Sequence, residues 1–183
     1  MNPAQGQFLI STPALADANF GRTVVLLCEH DASGTFGLII NRISGIRISD
    51  ALAEVPGAAA AKDFLRIGGP VKRESVFILH RRIGAGGRPI IDGVRFGADM
   101  ELLAQLLENS PDGSDDYRLF SGYSGWGPGQ LDAEMKSGSW IVAPAEPSAI
   151  FADRGEDSWR DALRALGGRY ALLAQAPHDP RLN

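Results

Sequence analysis

The chain has 183 residues, of which 44% are hydrophobic and 22% are charged, a composition typical of a globular protein. This length fits one domain, residues 1–183, and a chain of this size can fold without a metal or disulfide. The single Cys28 excludes an internal disulfide, and the net charge of −4 argues against a protein built mainly to bind nucleic acid.

The predicted location rests on the N-terminus and on the hydropathy of the chain. No apolar run approaches the ~18 residues of a membrane span. Segment 14–16 resembles the end of a signal peptide, but residues 1–8 carry no positive side chain. The apolar run 8–10 is also too short for a signal-peptide core. We therefore expect a cytoplasmic protein with no membrane partner.

Apolar patterns predict the strands. The run 23–30 is the clearest, because it is almost continuously apolar, as in a strand covered on both faces. A turn at 31–34 joins it to the predicted strand 35–41, so the pair forms a hairpin in which Cys28 would face Gly37. The other predicted strands are 7–11, 64–67, 75–80, two within 88–96, 117–123, 140–143 and 170–174.

Helices are predicted at fewer places. The expected helices are 49–55, 99–109, one that opens at Gly127-Pro128, and 157–166. Residues 177–183 are expected to be a loosely held tail. Because the strands come in runs instead of alternating with helices, the pattern favours the α+β class.

The most unusual segment is 122–130 (GYSGWGPGQ), which is predicted to run from a strand through a glycine-rich turn into a helix. Such a turn can bring the backbone close to a ligand, and a helix N-terminus attracts anions. The alternative is a sharp structural turn over which aromatic side chains pack. The candidate ligand-binding residues are Tyr123, Ser124, Gly125, Trp126, Gly127, Gly129 and Gln130, joined by His30, His80, Gly68 and Gly69 if the fold brings them near.

Catalytic and cofactor motifs are incomplete. Ser124 occupies the nucleophile position of a G-x-S-x-G elbow, but the last glycine of that motif is replaced by Trp126. The lysine of a phosphate-binding loop and the glycine spacing of a dinucleotide fold are also missing. Three histidines at unrelated spacings and one cysteine predict no metal site. We therefore assign no catalytic residue, metal or cofactor.

Basic side chains are concentrated in the middle of the chain. Residues 62–95 contain eight basic and three acidic side chains. One interpretation is an anion-binding patch, and the other is a surface that faces water or the acidic C-terminal half. Direct nucleic-acid binding is not expected, because no helix-turn-helix pattern is present. The candidate patch comprises Lys72, Arg73, Arg81, Arg82 and Arg88, with Arg95 beside it.

Several of these segments also occur in one known family. They are Phe8-Leu9-Ile10, Cys28-Glu29-His30, Gly37-Leu38-Ile39-Ile40-Asn41, Gly68-Gly69-Pro70, Leu79-His80, the segment 122–131 and Ser139-Trp140. In this order they resemble the AlgH/YqgE-like bacterial proteins over nearly the whole chain. The resemblance implies an α+β fold with a mixed, largely antiparallel, bifurcated sheet rolled into a pseudo-barrel with flanking helices. It also implies a cytosolic protein, and some relatives carry a transcriptional-regulator label that rests on genetics.

The chain departs from the family pattern at three places. The family often has alanine at the position of Ser124, and glutamate is common at the position of Asp132. Segment 177–180 replaces a Gly-His-Ala ending, so the resemblance assigns no role to His178.

Three functions stay open at this point. The first is a non-enzymatic regulatory or binding protein that acts through a protein partner or a small anionic ligand. The second is a ligand-binding protein or enzyme with a pocket at the turn 122–130. The third is a subunit of a larger protein assembly.

Overall fold

The computed structural model describes residues 2–15, 17–113 and 116–176, so the predicted tail 177–183, with His178, lies outside the described residues. The strands of the described part are β1 (Gln7–Ser11), β2 (Val24–Asp31), β3 (Gly34–Ile39), β4 (Ile43–Arg47), β5 (Phe64–Ile67), β6 (Val71–His80), β7 (Arg88–Ile91), β8 (Val94–Gly97), β9 (Tyr117–Trp126) and β10 (Trp140–Pro144). Its helices are α1 (Ile48–Ala51), α2 (Met100–Asn109), α3 (Gln130–Lys136), α4 (Pro147–Phe151), α5 (Asp157–Leu166) and α6 (Gly168–Leu173).

The strands form one sheet that forks at β9. The main path has the order β10-β1-β2-β3-β9-β6-β8-β7, and every neighbouring pair along it is antiparallel. A side branch starts where β5 pairs in parallel with β9, and β4 adds to the outer edge of β5. The predicted α+β class with a mixed, largely antiparallel, bifurcated sheet is therefore confirmed.

The sheet is rolled but not closed. Its β7 end approaches the start of β1, where the Gln5 amide donates to the carbonyls of Pro89 and Ile90 at 3.3 and 3.4 Å. A bulge in β2 places Leu27, not Cys28, opposite Gly37, which corrects the register expected from the hairpin. Arg88 donates to the Cys28 carbonyl at 2.8 Å. Side chains therefore bridge the gap that strand pairing leaves open.

Three apolar clusters stabilise this sheet. The interior of the roll is covered by α4, α5 and α6, and Trp159 and Leu163 of α5 are almost completely buried within it. A second cluster lies between α2 and the other face of β6 and β9. The predicted helix 99–109 is confirmed, since Asp99 caps it by accepting from the Leu102 N–H at 2.8 Å. The third cluster lies under α3 and contains Trp126 and Trp140.

Some local predictions are wrong. Segment 170–174, predicted as a strand, lies mostly in α6, because a short apolar run does not distinguish the two structures. Strand β9 continues to Trp126, and the following helix begins at Gln130 instead of Gly127-Pro128. Gly129 precedes that helix with φ of 71°, a conformation that favours glycine. Within the described ranges, no helix combines the length and apolarity needed to cross a bilayer.

Candidate functional site

The glycines of segments 68–70 and 122–130 meet where the chain crosses β9. Strands β5 and β6 pair with opposite edges of β9, since Phe120 lies opposite both Arg66 and Phe77. The chain must therefore pass over the β9 backbone between β5 and β6. A Cβ atom on Gly69 would lie 2.1 Å from the Tyr123 carbonyl carbon, so only glycine fits there.

Other residues at the point where the chain crosses β9 are also packed against backbone atoms. A Cβ atom on Gly68 would lie 2.3 Å from the Gly122 carbonyl oxygen, and Gly122 itself has φ of 70°. Ser124 is fully buried, and its hydroxyl donates to the Gly68 carbonyl at 3.0 Å. The fold thus brings Gly68 and Gly69 to the predicted site, where their close packing holds the fork of the sheet together.

The turn after β9 is held in place by the carboxylate of Glu134, which was not among the candidate residues predicted from the sequence. Glu134 of α3 accepts from the indole N–H groups of Trp126 and Trp140 at 3.0 and 2.7 Å. Its other oxygen accepts from the Gln130 amide at 3.0 Å, and Gln130 in turn accepts from the Gly127 N–H at 3.0 Å. Trp126 and Gln130 therefore lie at the turn as structural links. The sequence feature that could have indicated Glu134 is its i, i+4 spacing from Gln130 on one helix, with a tryptophan on either side of that helix in the sequence.

A surface concavity does lie beside the turn. Two depressions of about 470 and 340 Å³ share Asp31, Gly34, Thr35 and Gly127 in their linings, and we call the two together the turn groove. The 470 Å³ part is lined by the rings of Phe36 and Tyr123, which stack with centroids 4.7 Å apart. Gly125 and Gly129 also line the groove.

Carboxylates dominate the charge of the turn groove. They belong to Glu29, Asp31 and Asp132. Glu29 lies 3.6 Å from Arg88, whereas hydrogen bonds from the Ser33 hydroxyl and N–H lower the pKa of Asp31. Asp31 is therefore ionised at neutral pH, and the groove presents negative charge to a ligand.

The two candidate histidines lie far apart. His30 lines the turn groove, and its Nδ1 is 2.7 Å from the Thr35 hydroxyl. His80 lies opposite Tyr117, and Trp126 is nine residues further along β9, which corresponds to roughly 30 Å. His30 and Trp126 thus lie on one face of the sheet near the turn, Tyr123 lies on the other face, and His80 lies at the other end of the sheet.

His80 is enclosed by the segment that follows β6. Its side chain is fully buried, and Nε2 donates to the Gly86 carbonyl at 3.1 Å. Burial lowers the pKa of His80, and the nearby cations of Arg95 and Arg82 lower it further. His80 is therefore neutral at pH 7 and serves to hold the segment that contains Gly86.

The candidate basic residues do not form one patch. Lys72 and Arg73 lie near the fork, and Arg81 follows the far end of β6, roughly 26 Å along the strand. Arg82 pairs with Asp116 at 3.2 Å, Arg88 pairs with Glu29, and the Arg81 guanidinium lies 4.1 Å from the Phe151 ring centroid. Each of these three cations is therefore engaged by its own neighbours.

In the described part of the chain, neither Cys28 nor any group of possible metal ligands is arranged for chemistry. Cys28 is fully buried, and burial raises the pKa of its thiol to about 12, so it is protonated and shielded. Among residues 2–15, 17–113 and 116–176, no three His, Cys, Asp or Glu side chains are grouped to hold a metal ion.

Comparison with known proteins finds relatives along nearly the entire chain. A profile of a family described as AlgH-like matches residues 8–171. A UPF0301 protein of Cytophaga hutchinsonii is 40% identical over 182 residues, covering 98% of both chains. A UPF0301 protein of Chlorobium limicola is 38% identical over 180 residues, covering 97% of this chain and 95% of the relative.

Solved structures share the fold. The AlgH protein of Pseudomonas aeruginosa, solved in solution, superimposes with a TM-score of 0.75 at 29% identity and covers 98% of each chain. A crystal structure of a Corynebacterium diphtheriae protein gives a TM-score of 0.77 at 28% identity, covering 96% of this chain and 94% of the other.

Proposed function

Since this chain belongs to the AlgH-like family, we propose that it is a cytoplasmic, non-enzymatic regulatory protein that binds a basic, extended segment of a partner protein in the turn groove. The observation that carries this proposal is the shape and charge of that groove. Both of its depressions are open to solvent, and Asp31 and Asp132 contribute exposed carboxylates to them.

The form of the groove favours a peptide segment over a compact metabolite. Small-molecule sites are mostly apolar and enclose their ligand. The lining of the turn groove is largely polar, and it offers apolar contact mainly at the stacked rings of Phe36 and Tyr123. A chain with Lys or Arg side chains can place cations beside the carboxylates and aliphatic stems against these rings.

The same charges disfavour a small anionic ligand. An anion at the turn would face Asp31 and Asp132. The Gly127 N–H, which could bind it, already donates to Gln130. Like charges without a compensating cation weaken binding.

The side chains that could act as nucleophiles are hydrogen-bonded or buried in ways that do not suit catalysis, which supports a non-enzymatic role. The Ser124 hydroxyl is buried against the Gly68 carbonyl, and the Cys28 thiol is buried with a raised pKa. His30 is hydrogen-bonded to Thr35, not to a serine or cysteine. A nucleophile needs a base within hydrogen-bond reach, and both the Ser124 hydroxyl and the Cys28 thiol are hydrogen-bonded to backbone carbonyls instead.

Peptide binding tests the proposal. Fluorescence anisotropy with an extended Lys/Arg-rich peptide should show saturable binding that weakens as salt is added. The double variant Asp31→Asn/Asp132→Asn should weaken binding severalfold, because it removes both exposed charges. The amide oxygen introduced at position 31 can still accept from the Ser33 N–H, so the turn itself should be retained.

A matched control removes two charges elsewhere. Glu101 and Glu108 are exposed on α2, away from the groove, and Glu101→Gln/Glu108→Gln changes net charge equally. Equal weakening by both double variants would show that only net charge matters and would refute a groove-specific site. Failure of the peptide to bind the unmodified protein would also refute it.

A further inference from the structure

A second cavity, of about 420 Å³, lies between the inner face of the rolled sheet and helices α4 and α5. Its floor consists of aliphatic and aromatic side chains from β1, from β2 and from the residue that follows β3. These are Phe8, Ile10, Val24 and Ile40, each at most 5% exposed. The cavity is separate from the turn groove, since Val24 and Asp31 lie at opposite ends of β2, roughly 23 Å apart.

Small side chains on the helices keep this cavity open. Ala149 and Ala152 of the α4 region face it from one side, and Ala162 and Ala165 of α5 face it from the other. Protein interiors are normally packed to the density of organic crystals, with few voids larger than a water molecule. Here the helix region contributes mainly alanine and serine side chains to the lining, so the space between helices and sheet is not filled.

The size and lining of the cavity fit a small apolar molecule. Ligand sites in proteins measure about 300–1,000 Å³ and are lined mainly by hydrophobic side chains. This cavity falls within that range, and its floor is made of buried apolar side chains. Because two helices flank it, the cavity suits a ligand that inserts between them and not a flat protein surface.

Charges at the rim decide which end group the ligand can carry. Asp161 pairs with Arg154 at 2.6 Å and lies 3.4 Å from Arg164, so the nearby guanidinium groups already have a carboxylate partner. Glu146 also lines the cavity and is exposed. An anionic end group would have to approach Glu146 and compete with Asp161 for its cations.

We infer that the cavity beneath α4 and α5 is a binding site for an uncharged small molecule with a hydrocarbon chain or ring. This site is independent of the turn groove, because the two share no lining residue. Its ligand gains affinity from removing apolar surface from water, and the rim selects against carboxylate end groups.

Fluorescent-probe binding with the full chain tests the inference. Nile red, an uncharged apolar dye, should become more fluorescent in the presence of the folded protein and saturate at one dye per chain. Decanol should displace the dye at lower concentration than decanoate, which has the same chain length but carries a charge. Absence of saturable binding, or equal displacement by decanol and decanoate, would overturn the inference.

Filling the cavity locates the site. Ala162→Leu should lower dye affinity at least tenfold, because the added side chain occupies the ligand space. Ala149→Leu fills it from the other helix and serves if the first variant does not fold. Ala133→Leu, on the exposed surface of α3, makes the same change elsewhere and should leave dye affinity unchanged. Unaltered dye binding by a folded cavity variant would place the dye elsewhere and refute the assignment.

Discussion

Replacement of Glu134 should loosen α3 from the sheet. This carboxylate accepts hydrogen bonds from two nearly buried indoles, Trp126 and Trp140, and from Gln130. A hydrogen bond to a charged group contributes ~1.5–3 kcal/mol, and an unsatisfied buried donor costs ~1–3 kcal/mol. Because Glu134 is only partly buried, we take the lower values and expect Glu134→Ala to reduce the free energy of unfolding by about 3 kcal/mol.

Glu134→Gln removes the carboxylate charge and keeps a side chain of the same shape, so it tests how much of the effect depends on the charge. An amide oxygen can still accept from the indoles, but the new amide donor then faces the Gln130 amide, which already donates toward this position. We expect a loss of about 1 kcal/mol, since part of the hydrogen bonding is retained. The two substitutions should therefore differ clearly in stability.

Thermal unfolding followed by far-UV circular dichroism measures both effects. For a chain of this size, 1 kcal/mol corresponds to roughly 2–4 °C, so Glu134→Ala should lower Tm by about 6–12 °C. Lys136→Ala, in the last turn of the same helix and exposed, is the control and should shift Tm little. A Glu134→Ala protein that melts within about 2 °C of the unmodified chain would refute the reasoning.

Three further predictions follow from buried positions. Gly69→Ala should prevent folding or lower the free energy of unfolding by more than ~3 kcal/mol, because the added Cβ would overlap the β9 backbone. The control Gly86→Ala, with open space around it, should express and melt normally. Comparison of soluble yield and Tm checks this, and a Gly69→Ala protein that behaves normally would contradict it. Because the pKa of His80 is lowered in the folded protein, the unfolded chain binds a proton at higher pH than the folded chain. The free energy of unfolding should therefore fall as pH drops below the pKa of about 6.5 in the unfolded chain. Urea unfolding at neutral and mildly acidic pH should show this dependence, and His80→Gln should weaken it. Cys28 should react with a thiol reagent only as fast as the protein unfolds, since the thiol is buried and its pKa is raised to about 12; rapid labelling of the native protein would contradict its burial.

Local sequence determined most of the individual elements. Strand β1 matches the predicted range 7–11, and β2 and α2 differ from theirs by a residue. These segments have a strong local signal, either a near-continuous apolar run or a capped amphipathic helix, which does not depend on distant partners. The segment 122–130 was also recognisable as special, because its glycine content does not suit a regular strand or helix.

The function of those glycines depended on contacts between distant parts of the chain. Gly69 and Tyr123 are 54 positions apart, and local periodicity carries no information about their approach. The same holds for Glu134, which is one polar residue of a short helix until the fold places two indoles against it. It also holds for His80, whose separation from the turn follows from the register of β6 against β9.

Charge shows the same division between sequence and tertiary structure. Composition alone identified a basic stretch at residues 62–95, but pairing in the fold engages Arg82 with Asp116 and Arg88 with Glu29. The acidic turn groove arises because the end of β2, the start of β3 and the segment after β9 lie side by side. Sequence determined which residues were available in each element, and only the long-range pairing of strands decided which of them share a surface, because that pairing depends on non-local contacts.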